Sequence, residues 1–139
     1  MADAMTEFNQ KVIDEFRGNG GKVGGAFAGA PMIIVSHTGA KSGKAHTTPL
    51  VYSLDGDRFV IIASKAGAPT NPAWYHNLIA HPEVTVEVGA ERFTARAAEV
   101  RGAERDRLFD AQARLMPQFN EYKKNTPRTI PVFTLERVR

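Results

Sequence analysis

The sequence predicts a mainly antiparallel β-barrel with helices packed around it. Three observations carry this expectation. Strand-like segments dominate the middle of the chain and pair as hairpins across short glycine-containing turns. Amphipathic helical segments lie toward the two ends. No repeat, low-complexity tract or long linker divides the chain, so residues 1–139 are expected to form one domain.

Taken in order, residues 4–17 read as an amphipathic helix. Met5, Phe8, Val12 and Phe16 fall close to one face, with Ile13 beside them. Gly18-Asn19-Gly20-Gly21 ends it, and a Gly/Ala-rich connector runs to Pro31. Met32–Ser36 is a short apolar strand, His37–Ala45 a polar loop and His46–Leu54 a second strand. Asp55-Gly56-Asp57 is a tight hairpin signal, followed by the apolar strand Arg58–Ser64. Asn71-Pro72 opens a short helix to Ala80, with Pro at the first helical position. Glu83–Val88 and Glu91–Val100 pair across Gly89-Ala90. Gly102–Leu115 and Gln118–Asn125 are helices, and Pro131–Arg137 is the last strand. Paired strands with helices outside give a barrel rather than a doubly wound sheet.

Composition narrows the chemistry. With no cysteine, the chain has no disulfide scaffold, thiolate nucleophile or Cys-ligated metal. The N-terminus lacks the basic start and apolar stretch of a signal peptide, so a cytoplasmic location is expected. The amphipathic first helix offers a face that could rest on a membrane surface, although it has few lysines. Net charge is +3, and its distribution says more. There is no Asp or Glu from Phe16 to Leu54 or from Arg58 to Pro82, while Arg17, Lys22, Lys41, Lys44, Arg58 and Lys65 are present. The middle of the chain thus carries a local positive field suited to an anionic small molecule; nucleic acid is not expected as a partner.

The loop His37-Thr38-Gly39-Ala40-Lys41-Ser42-Gly43-Lys44 is the most informative stretch. Two glycines let backbone approach a ligand, and lysines, serine and amide groups can form an anion nest. A Walker loop is excluded, because Thr38 and Ala45 occupy the positions that need Gly and Ser/Thr. A polar hairpin loop with solvated lysines fits the same spacing. Lys65 matters only if it converges with Lys41 on one anion. Asn71-Pro72-Ala73-Trp74-Tyr75-His76-Asn77-Leu78 packs ring-covering and edge-binding side chains into a turn and a half of helix. Trp74 and Leu78, four apart, equally read as a core face. Met116, Phe119 and Tyr122 lie three apart, as a packing stripe would; Tyr122 could instead show its hydroxyl to a pocket. His76 and His81 are five apart, not four, so no metal is expected.

Together these pieces resemble the deazaflavin-dependent nitroreductase family. The signals are Gly39-Ala40-Lys41-Ser42-Gly43 with Thr48-Pro49-Leu50, then Ala63-Ser64-Lys65, then Asn71 to Leu78, and Thr126-Pro127-Arg128-Thr129-Ile130-Pro131-Val132-Phe133. The resemblance implies a split β-barrel that binds coenzyme F420, a deazaflavin with a phosphate and an oligoglutamate tail. It implies coenzyme contacts from Gly39, Lys41, Ser42, Gly43, Lys44, His46, Thr48, Pro49, Ser64, Lys65, Pro72, Ala73, Trp74, Asn77 and Leu78. Lys41 and Lys65 would grip the anionic tail. It places Met116, Phe119 and Tyr122 at the acceptor, with Tyr122 as proton donor. Ala40 and His46 stand where the family usually has arginine. The implied reaction is hydride transfer from the reduced deazaflavin to a small organic acceptor such as a quinone, an enone or a nitroaromatic. A flavin mononucleotide enzyme and a non-catalytic coenzyme carrier are the alternatives. The assembly is expected to be a monomer or homodimer.

Overall fold

The computed structural model describes residues 4–19, 31–64, 71–126 and 129–138. Helix α1 (Ala4–Gly18) is followed by strands β1 (Met32–Thr38), β2 (Ala45–Val51), β3 (Ser53–Asp55) and β4 (Arg58–Ile62). Helix α2 (Ala73–Ala80), strands β5 (Glu83–Val88) and β6 (Glu91–Val100), helices α3 (Gly102–Leu115) and α4 (Gln118–Asn125) and strand β7 (Val132–Arg137) complete the order. The strands form one antiparallel sheet in the order β2-β1-β5-β6-β7-β4-β3.

The single strand expected over His46–Leu54 is two strands, because the chain changes sheet edge at Tyr52. Strands β2 and β3 lie at opposite ends of the strand order yet only Tyr52 separates them. Two peptide steps span at most about 7.6 Å, so the sheet must curl until its edges nearly meet. The Tyr52 N–H anchors the crossing on the Pro31 carbonyl at 3.1 Å. The curl makes the expected barrel. Two-residue turns close β3–β4 and β5–β6, and Gly56 and Gly89 adopt φ of 62° and 58° there.

Alternation along the strands sorts residues into an inner and an outer layer. Ile33, Val35, Ile61, Val86, Ala95 and Leu135 fill the inside, where α2 adds Trp74 and Leu78. Val60, Ile62 and Val132 point outward under Leu108, Phe109, Ala113 and Phe119 of α3 and α4. The continuous apolar run of β4 follows from burial on both faces. Helix α1 packs Ile13 and Phe16, both nearly inaccessible, on Met32 and Ile34. The bidentate Arg17–Glu87 pair, at 3.0 and 2.8 Å, ties its end to β5. The apolar side offered by Ile13 and Phe16 is thus occupied by the barrel, which corrects the expectation of a membrane face on these residues. Among the described residues no helix is long and apolar enough to cross a membrane.

Candidate coenzyme site at the β1–β2 loop

The loop between β1 and β2 is internally ordered by hydrogen bonds. The Gly39 N–H donates to the Lys44 carbonyl at 2.8 Å and the Gly43 N–H to the Gly39 carbonyl at 3.0 Å. The Lys44 N–H donates to Ser42 Oγ at 3.2 Å, and the Ala40 N–H to Asn77 Oδ1 of α2 at 2.9 Å. The Lys41 and Ser42 amides have no acceptor among the described residues. Gly43 has φ of 70°, the left-handed region that favours glycine. Side chains of Lys41, Ser42 and Lys44 are exposed, and neither lysine has an ion-pair partner among the described residues.

Gly39 is needed for a different reason. A Cβ there would stand 2.4 Å from Ser42 Oγ and 3.2 Å from His46 Nε2. Ser42 would have to release the Lys44 amide. Gly39→Ala is therefore expected to cost about 1 kcal/mol of stability, one local hydrogen bond, and to weaken coenzyme binding severalfold. Urea unfolding together with coenzyme titration checks both; an unchanged dissociation constant would mean the loop shape is irrelevant to binding.

Helix α2 carries the second half of the site. Pro72 is buried and stands just before the first helical residue, Ala73, which is exposed. Trp74 and Leu78 are buried in the inner layer, and the Trp74 ring lies 5.8 Å from Phe133. They belong to the inner core cluster. Asn77 is also buried. Its Oδ1 holds Ala40, and its Nδ2 lies 3.0 Å from His37 Nδ1. It braces the loop rather than offering a free amide edge. His37 Nε2 in turn lies 2.9 Å from Thr48 Oγ1. Burial, and next the neighbouring His46, hold His37 down at about 4. The His46 ring stacks on His37 at 5.7 Å and 22°, with its own side chain exposed.

Sequence reasoning passed over His37 by placing it in the loop. The signal was present: Ile33, Val35 and His37 continue one period-2 face of β1. Thr48 pairs with Val35, and Pro49 with Ile34, so the two point to opposite faces. Both are partly exposed on edge strand β2, where Pro49 removes no needed sheet donor. Ser64, just after β4, is buried; Lys65 lies outside the described residues.

Met116, Phe119 and Tyr122 gather elsewhere, on the outer layer under α3 and α4. Phe119 is buried, with Tyr122 edge-on at 5.3 Å and Phe109 edge-on at 6.4 Å. Met116 and Tyr122 are half-buried at the margin. The structure does not bring them against Asn77 or the loop. The link is β2, whose last residue, Val51, packs on the α4 cluster while its first, Ala45, leaves the loop. The strand covers roughly 20 Å at 3.3 Å per residue, with Thr48 and Pro49 midway. Two recesses, of about 410 and 360 Å³, open around Glu99–Arg101 and do not include the loop; the second is also lined by Asn71 and Tyr75 of the α2 segment.

A family model described as F420H(2)-dependent quinone reductase matches residues 9–137. The chain belongs to this family. An F420H(2)-dependent quinone reductase of Mycobacterium tuberculosis is 41% identical over 126 residues, covering 88% of this chain and 85% of that protein. A solved structure of an F420-H2 dependent reductase, FDR-A, is 36% identical with a TM-score of 0.70, covering 76% of this chain and 94% of the other. Another, described as a domain-swapped dimer, is 33% identical with a TM-score of 0.72, covering 91% and 93%. Membership makes this F420H(2)-dependent quinone reductase family protein an oxidoreductase with F420 as its coenzyme, and sets flavin mononucleotide aside. The site residues fit such a group. Lys41 and Lys44 and the Lys41 and Ser42 amides, without partners among the described residues, are donors for phosphate or carboxylate oxygens. Beside Gly43 a Cβ would meet nothing within 4 Å, so the turn leaves room for a ligand.

Proposed function

We propose that the chain reduces a quinone with electrons from reduced F420, and that the β1–β2 loop anchors the coenzyme's phosphate and glutamate tail. The observation that carries this reading is the loop itself: two lysines and two amides without partners among the described residues, braced by Asn77 from α2. The family resemblance adds Lys65, which lies outside the described residues, to the same anion site. Gly39, Ser42, Gly43 and His46 shape the loop. Thr48, Pro49, Pro72 and Ala73 border the ring end, with Trp74, Asn77 and Leu78 supporting from beneath.

When bound, the reduced deazaflavin supplies a hydride to the acceptor. The chain's own contribution is positioning and charge. Lys41 and Lys44 neutralise the tail and fix its register. Strand β2 leads from the loop to the α4 cluster, where half-buried Met116, backed by Phe119, gives the acceptor end an apolar wall. Quinone reduction consumes one hydride and one proton. The Tyr122 hydroxyl delivers that proton to the quinone oxygen and is reprotonated from water. A homodimer is supported by the 33% identical relative that is described as a domain-swapped dimer.

Single-turnover re-oxidation of reduced F420, followed by absorbance across quinones, enones and nitroaromatics, tests the proposal. Quinones should accelerate it above the protein-free rate. Tyr122→Phe should slow it by about a hundredfold, the low end for general acid catalysis, with coenzyme affinity unchanged. No acceleration by any acceptor would make the chain a coenzyme carrier. A silent Tyr122→Phe would assign the proton to water.

A further inference from the structure

We propose that His37 is a positioning residue for the coenzyme: held by Asn77 as its Nε2–H tautomer, it donates to Thr48 and leaves the Thr48 hydroxyl to donate outward to an acceptor oxygen of the coenzyme. The inference rests on the coenzyme site proposed above.

The polarity of the chain Ala40–Asn77–His37–Thr48 is set at one end. A backbone N–H can only donate, so the atom of Asn77 that lies 2.9 Å from the Ala40 nitrogen must be the carbonyl oxygen. The amide nitrogen then faces His37 Nδ1 at 3.0 Å and donates to it. Nδ1 must be bare, and a neutral ring carries its proton on Nε2. That proton is donated to Thr48 Oγ1 at 2.9 Å. Reversing any link would set two donors against each other in a buried place. A second proton on His37 would do the same at Nδ1, which agrees with its depressed basicity. The ring's partners on all sides are accounted for: Asn77 from α2, Thr48 and stacked His46 from β2.

Having accepted one hydrogen bond from inside, Thr48 turns its own O–H away from His37. Thr48 is half-buried, on the edge strand that leaves the loop. A hydroxyl locked as a donor recognises a phosphate oxygen or a ring carbonyl and disfavours a donor group. The buried histidine therefore sets the polarity of a partly exposed threonine through a contact it makes away from the ligand.

Two measurements test this. Long-range ¹H–¹⁵N spectra of ring-labelled protein, with His37 assigned by the loss of its signals in His37→Gln, should show bare Nδ1 and protonated Nε2 at neutral pH. An Nδ1–H tautomer or an imidazolium there overturns the proposal. Titration of F420 should give about tenfold weaker binding for Thr48→Val and for His37→Leu, near-normal binding for Thr48→Ser, and partial retention for His37→Gln, whose amide can still donate to Thr48. The double variant His37→Leu/Thr48→Val should bind no worse than Thr48→Val alone, since both remove one interaction. If His37→Leu does not fold, Thr48→Val and the spectra decide. Repeating the titration with the phosphate-free ribityl deazaflavin locates the acceptor: a penalty that vanishes assigns phosphate, and one that persists assigns the ring. Lys41→Ala is the reference. If it weakens F420 and Thr48→Val does not, this inference fails; if neither matters, the coenzyme lies elsewhere and the proposed site fails with it.

Discussion

Trp74→Ala is expected to lower folding stability by about 3–5 kcal/mol, the range for removing a large buried aromatic. The Trp74 ring is 7% exposed and packs within the inner layer against Phe133, with Tyr75 meeting the same phenyl ring edge-on at 5.7 Å. Without it the end of the barrel under α2 loses its largest side chain. Asn77 rides on the same helix one turn on, so its hold on Ala40 and His37 should loosen as well. Coenzyme affinity should then fall as a consequence of the packing loss. Trp74→Phe, which retains much of the volume, should recover most of both. Urea unfolding followed by circular dichroism is the measurement, because the chain has a single tryptophan and the variant removes the fluorescent reporter. A variant that unfolds like the native chain yet binds F420 much more weakly would put Trp74 against the coenzyme and not in the core.

Acid should destabilise the fold in two separate steps, the first due to His37. In the unfolded chain this histidine takes up a proton near 6.5, but in the folded protein only at about 4. Between those values the unfolded state binds more protons, so stability falls as pH falls. Over the whole window the loss is about 3 kcal/mol, at 1.36 kcal/mol for each pH unit. The side chain is buried, so solvent screening removes little of it. The second step belongs to the carboxylates. Arg107, then Arg58, hold Asp55 down at about 2, and Arg17 lowers Glu87. Their stabilisation is present above the ordinary carboxylate range and is lost as pH falls through it. Unfolding free energies at pH 7, 6, 5 and 4.5 should thus decline in the native chain and stay nearly flat in His37→Gln. Equal slopes in both would mean that another group carries the acid limb.

The fold was legible where local chemistry decides it. The turns at Gly56 and Gly89, the helix opening at Pro72 and the last strand all follow from short-range signals. The split at Tyr52 was not legible. The apolar alternation runs straight through it, and only the closing of the sheet makes β2 and β3 separate edges. Trp74 and Leu78 admitted both a core and a ligand reading from spacing, and both are buried in the inner layer. Phe119 packs in the outer layer, on the opposite side from α2, with Met116 and Tyr122 half-buried at its margin. Asn77 was singled out for its polarity, and within the chain that polarity serves Ala40 and His37. Its contact with Ala40 spans 37 residues of chain, a distance no local pattern reports. His37 was missed because a strand that runs three residues further than its apolar core looks like a loop in sequence.

The central claim is that Lys41 and Lys44 in the β1–β2 loop bind the anionic end of F420. It is tested most directly by titrating F420 and flavin mononucleotide into the native chain and into Lys41→Ala and Lys41→Ala/Lys44→Ala, at low and high salt. F420 should bind more tightly than flavin mononucleotide. Lys41→Ala should lose about 1–3 kcal/mol, as for a charge-assisted contact. The double variant should lose more, and the salt dependence should shrink as each lysine is removed. Native-like F420 affinity in the double variant, or flavin mononucleotide binding as tightly as F420, would contradict it.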